Sequence, residues 1–157
     1  MMTKSKLLKI IISWALVLIW MSVIFSLSAQ NDTQSSGLSE KIVSFIAGII
    51  KVIEPVCKIN MNVLHLVVRK AAHFTIYFLL GIFVTHALRK SEKERVLISL
   101  IICILYALSD EFHQSFVPGR VASFIDVGID SLGALLGSCI FSLIKNRLSI
   151  NKKKIYD

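Results

Sequence analysis

Four apolar runs divide this chain, and the polar residues between them change character from one gap to the next. The first run, about residues 10–28, contains Trp14 and Trp20, follows Lys4, Lys6 and Lys9, and gives way to SLSAQNDTQSSG. A basic start and an apolar middle fit a first span or a signal peptide. Cleavage after Ala29 would put Leu27 where a small residue is wanted, which weighs against removal. Over 38–54, Leu38, Ile42, Phe45, Ile46, Ile49 and Ile53 recur at helical spacing, interrupted by Ser39, Lys41, Ser44 and Lys51. This pattern predicts an amphipathic helix that lies in the membrane interface or packs on the bundle, ended by Pro55.

The second span, about 64–88, opens with Arg69, Lys70 and His73 before turning apolar from Phe74 to Val84. A basic loop, RKSEKER, follows, with Ser91 placed to cap the next helix. The third span covers about 96–112. Pro118 and Gly119 then turn the chain into a fourth, about 122–144, which ends in Lys145, Arg147, Lys152, Lys153 and Lys154. A hydrocarbon core of about 30 Å takes about 20 apolar residues per helix. The expected fold is therefore all-α: a polytopic membrane protein with four transmembrane helices and one interfacial helix, forming one domain over 1–157.

Composition agrees with that layout. With 55% hydrophobic residues and a mean hydropathy of +0.72, an ordinary soluble domain is excluded, and 157 residues leave no room for a separate one. The net charge of +8 does not indicate nucleic acid, because the basic residues cluster beside apolar runs and do not interleave with aromatics. They report orientation. Twelve Lys and Arg lie at the N-terminus, the RKSEKER loop and the C-terminus, against six on the other side, so the positive-inside rule places both termini in the cytoplasm of a multi-pass cell-membrane protein. Cys57, Cys103 and Cys139 have neither metal-site nor disulfide-framework spacing.

The candidate chemistry is concentrated in Tyr106 to Asp130, YALSDEFHQSFVPGRVASFIDVGID. Ionisable groups this close to membrane-length segments are costly, and so point to function. Helical spacing places Arg69, Lys70, His73 and Tyr77 along one face, and Tyr106, Asp110, His113 and Gln114 along another if the third helix continues past its apolar run. Asp126 and Asp130 share a face with Gly133 and Gly137, a GxxxG pair that lets another helix approach closely and so turns the aspartates toward the bundle. Asp130 is roughly 15 Å along the helix from Arg120. Tyr77 or a water-filled cleft is its expected partner, with Arg69, Lys70 and His73 serving the shallower positions.

The same residues could form a buried ion-pair network that only fixes helix register. Asp110, Glu111, His73, His113 and Asp126 could also ligate a metal, but their spacing matches no metal motif and no metal site is assigned. Phosphate recognition by Arg69, Lys70 and Arg120 is chemically easier. There is no GxSxG, no P-loop and no dinucleotide fingerprint, and the cofactor, if any, is unknown from the sequence.

The segments RKAAHFTIYFLLG, YALSDEFHQSFVPGR and DVGIDSLGALLG, with LSAQ after the first span, resemble the VanZ-like membrane proteins from about Trp14 to Ile144. The family's recurrent polar positions fall on Arg69, Lys70, His73, Asp110, Glu111, His113, Gln114, Pro118, Gly119, Arg120, Asp126 and Asp130. The resemblance implies a small helical membrane protein of bacteria, whose founding member is associated with low-level resistance to the glycopeptide teicoplanin. It implies no reaction.

Two functions follow as expectations. In the first, an outward-facing polar cleft binds an envelope component or a lipophilic glycopeptide. Arg69, Lys70 and Arg120 hold anionic groups, and Gln114, Asp126 and Asp130 complete the site with Asp110 and Glu111. In the second, an enzyme acts on a lipid-linked phosphate or peptidoglycan precursor, with His73 or His113 as base or nucleophile and Asp110 or Glu111 orienting it. A proton or ion pathway through Asp126 and Asp130 is weaker, since only Thr85, His86 and Ser138 would carry it inward.

Overall fold

The computed structural model describes residues 3–29, 61–88 and 91–156. Four helices occupy them: α1 (Lys4–Ser28), α2 (Met61–Ala87), α3 (Glu92–Gln114) and α4 (Phe124–Tyr156). Each contains a stretch long and apolar enough to cross a membrane, as expected. The helix expected over 38–54 lies outside the described residues. Two helices outrun their apolar segments: α3 continues to Gln114 and α4 to Tyr156, because helical hydrogen bonding needs no apolar environment.

The polarity of α3 is inverted relative to a helix of a soluble bundle. On α3 the buried face carries Arg95, Ser99, Cys103, Ala107, Asp110, Glu111 and Gln114, while Leu97, Ile101, Leu105, Leu108 and Phe112 are exposed. Buried residues three or four apart form one stripe, so this face meets the bundle and the leucine-rich face meets lipid. On α1, Ser13, Val17, Ile24 and Ser28 make a similar narrow stripe. Ser91 opens α3, with its backbone N–H and hydroxyl both donating to the Glu94 carboxylate at 3.2 and 2.7 Å.

Helix order is read from the cross-contacts. The Trp20 indole donates to the Ile76 carbonyl at 2.9 Å and meets Phe83 edge-on, while the Tyr106 hydroxyl donates to the Met21 carbonyl at 2.6 Å. α1 and α3 thus run one way and α2 and α4 the other. The end of α1, the start of α2, the end of α3 and the start of α4 all meet at one end of the bundle.

α2 and α4 pack most closely. A Cβ on Gly81 would fall on the Ala134 carbonyl, one on Gly133 on the Phe74 carbonyl, and one on Gly137 on the Phe78 carbonyl. The expected GxxxG contact is therefore present, with α2 adding a glycine of its own. Beside it the Ser99 and Ser138 hydroxyls lie 3.0 Å apart, and both donate to the Gly81 carbonyl at 3.3 and 3.2 Å. In a membrane, van der Waals contact and such hydrogen bonds take the place of a hydrophobic drive.

The contrast with Gly128, whose Cβ would meet nothing within 4 Å, gives a test. Gly137→Ala should lower stability by about 1–3 kcal/mol through backbone overlap. Gly128→Ala should be neutral or stabilising by up to about 1 kcal/mol through helix propensity. Unfolding midpoints of the two variants in detergent would separate these outcomes.

Candidate functional site

The four helices deliver their polar residues to that shared end in tiers. Nearest the start of α2 and α4, the Lys70 ammonium pairs with the Asp126 carboxylate, both partly exposed. One turn further in, His73 Nδ1 lies 3.5 Å from Asp130 Oδ1, an ion-pair contact outside hydrogen-bond geometry. Asp130 is fully buried and neither of its oxygens has a hydrogen-bond partner. The sequence suggests Tyr77 or a water-filled cleft for Asp130. Instead the Tyr77 hydroxyl donates to Asp110 Oδ2 at 3.3 Å, because the tyrosine reaches across to α3 while His73 occupies the face toward α4.

Asp110 is buried where α1, α2 and α3 converge. Its Oδ2 accepts from the Ser28 hydroxyl at 2.8 Å, from Tyr77, and from the Gln114 amide at 3.3 Å. Gln114 also donates to Ser28 at 3.2 Å and accepts from Arg120 Nη1 at 3.0 Å. Three donors converge on one oxygen while Oδ1 has none. Ser28 was not singled out by sequence; the one signal was a serine-rich end to the first apolar run. Neither the packing role of Ser99 nor that of Gly81 was anticipated.

Other sequence candidates take structural places. The Glu111 carboxylate accepts the Ser123 backbone N–H at 2.7 Å, just before α4 begins. It thereby satisfies an amide at a helix start, where negative charge is favoured. Gly119 adopts φ 83° in the connecting turn, a region open to glycine, and Arg120 N–H bonds back to the Val117 carbonyl at 3.1 Å. His113 stacks on Phe25 with ring centroids 4.2 Å apart, and Arg69 lies partly buried beside Lys70.

Among the described residues, one group of His, Cys, Asp and Glu side chains comes together closely enough to share an ion. It comprises His73, Asp110 and Asp130, with a ligand atom from each within 4.8 Å of the others. Of the metal-capable residues noted in the sequence, Glu111, His113 and Asp126 lie outside this group, and Asp130 joins it.

This geometry lies within a segment that matches a known family: the VanZ/LLP1 family model covers residues 13–145. The chain belongs to the VanZ/LLP1 family. No curated protein and no solved structure matches it. The family match extends from α1 through the four helix ends that form the tiers, so the polar cluster lies wholly within this VanZ-like region.

The outermost tier offers a test of coupling. In a double-mutant cycle of Lys70→Met and Asp126→Asn, the pair should show a coupling between about 0.5 and 3 kcal/mol. Reversible unfolding in detergent is the measurement, and additive effects would show that the two groups do not interact in the folded protein.

Proposed function

We propose that this VanZ-like protein acts at the outer face of the bacterial cell membrane, with both termini cytoplasmic. There its polar end binds an envelope component or a lipophilic glycopeptide and lowers susceptibility to glycopeptides such as teicoplanin. The observation that carries this reading is the convergence of all four helices on buried polar groups that are not satisfied by the protein itself. Asp110 Oδ1 and both Asp130 oxygens lack hydrogen-bond partners. Single unpartnered hydroxyls also occur at Thr85 and Ser142, but three carboxylate oxygens without donors gather here, and each unsatisfied group costs about 1–3 kcal/mol.

The roles within this reading differ from those the sequence suggested. Lys70 is already engaged by Asp126 and Arg120 by Gln114, so a ligand's anionic group would exchange with these partners at the rim. The unsatisfied carboxylates would take its donor or cationic groups. Expression in a glycopeptide-susceptible bacterium should raise the teicoplanin concentration needed for inhibition. Arg120→Gln and Asp130→Asn should remove that effect at matched membrane abundance. Variants that protect as well as the wild type would defeat the proposal.

A second reading, an enzyme acting on a lipid-linked phosphate or peptidoglycan precursor, draws support from the imidazole of His73 beside the carboxylate of Asp130. An imidazole this near a carboxylate needs only a small rotation to be oriented by it as a base. That proximity makes His73, and not the Phe25-stacked His113, the candidate base. On this reading His73→Gln should reduce turnover by about 10²-fold or more, seen as loss of a lipid or precursor species by mass spectrometry of the envelope, with His113→Gln costing much less. An envelope whose lipids and precursors are unchanged by the wild-type protein would exclude the enzyme.

A further inference from the structure

We infer that His73, Asp110 and Asp130 form a binding site for one divalent first-row transition-metal ion, of the Zn²⁺ or Mn²⁺ type. The ion would use the same Asp110 and Asp130 oxygens as the functional proposal, so a ligand would reach them through the ion's open position and not directly.

The first ground is charge. Two carboxylates are buried within a few ångströms of each other, Asp130 with no exposed surface and Asp110 nearly so. Lys70 is already committed to Asp126 a turn away, and His73, which contacts Asp130, could neutralise at most one of the two carboxylates. Unpaired carboxylates in a membrane interior are costly enough that they protonate or acquire a counter-ion. A single divalent cation neutralises both at once.

The second ground is unsatisfied ligand atoms. Asp130 Oδ1 and Oδ2, Asp110 Oδ1 and His73 Nδ1 are all buried without hydrogen-bond partners, and they come from the three residues that converge. Two ligands of one tetrahedral ion stand about 3.4 Å apart, given metal–ligand bonds of about 2.1 Å. The 3.5 Å between His73 and Asp130 already fits, and the 4.8 Å limit on the group leaves only a small side-chain rotation to close.

The third ground is the surrounding support. Ligating carboxylates are themselves held by hydrogen bonds from an outer layer. Ser28, Tyr77 and Gln114 all donate to the same oxygen of Asp110, which orients the carboxylate and leaves the other oxygen unused. One imidazole with two carboxylates suits a borderline ion better than Mg²⁺ or Ca²⁺, which prefer oxygen alone. Three protein ligands also leave a position for an exogenous oxygen donor.

The test uses the full chain, purified without a tag in detergent at neutral pH, loaded with Zn²⁺ or Mn²⁺ and passed through gel filtration before elemental analysis. The wild type and His65→Gln, a variant on the same helix away from the group, should retain about one equivalent. Asp130→Asn and Asp110→Asn should retain little, and excess Mg²⁺ should not displace the ion. Because those variants could fail to fold, the wild type is also melted with and without a chelator. Chelation should lower its midpoint, and re-addition of Zn²⁺ or Mn²⁺ should restore it. The inference is overturned if the wild type retains no ion, if Asp130→Asn retains as much, or if chelator and re-added metal leave the midpoint unmoved. A protein that holds the ion but does not alter glycopeptide susceptibility would defeat the functional proposal and leave the metal site standing.

Discussion

Gly81, Gly133 and Gly137 let α2 and α4 touch backbone to backbone, and the positions of the polar side chains above that contact are inherited from it. With the helices at this separation and running in the same direction, position 73 comes level with 130 and position 70 with 126. A side chain larger than hydrogen at the contact would push the helices apart and lengthen both pairings. The hydroxyls of Ser99 and Ser138 on the Gly81 carbonyl hold the same contact from the inner side.

The second organising feature is the placement of cost. Buried ionisable groups are expensive in hydrocarbon, and apart from Arg95 near the start of α3 the buried charged side chains among the described residues gather at one end, where four helix termini meet. Even there the compensation is uneven. Glu111 is matched by a helix-start amide and Asp126 by Lys70, which are stabilising uses of charge. Asp110 is half satisfied and Asp130 is not satisfied by any hydrogen bond. The imbalance separates carboxylates matched within the bundle from those with oxygens that no hydrogen-bond donor reaches.

That separation is the point at which sequence reasoning needed help. Asp110 and Glu111 are adjacent and chemically alike, and spacing alone treats them as equal candidates. Their side chains point to different neighbours because successive residues on a helix are about 100° apart. One therefore enters the bundle beside Tyr77 and Ser28, and the other secures the turn to α4. His73 and His113 divide in the same way, one toward Asp130 and the other onto Phe25.

The sequence by itself determined the four membrane-length spans and the close approach at Gly133 and Gly137. Each is a local pattern: run length against bilayer thickness, or recurrence every three or four residues. It also carried enough family-specific wording to identify the VanZ/LLP1 relationship. Only the tertiary structure decided which polar groups meet. The partners come from different helices, 33 residues apart for Tyr77 and Asp110 and 82 for Ser28 and Asp110. Their meeting depends on helix separation, rotation and crossing, none of which a linear period encodes.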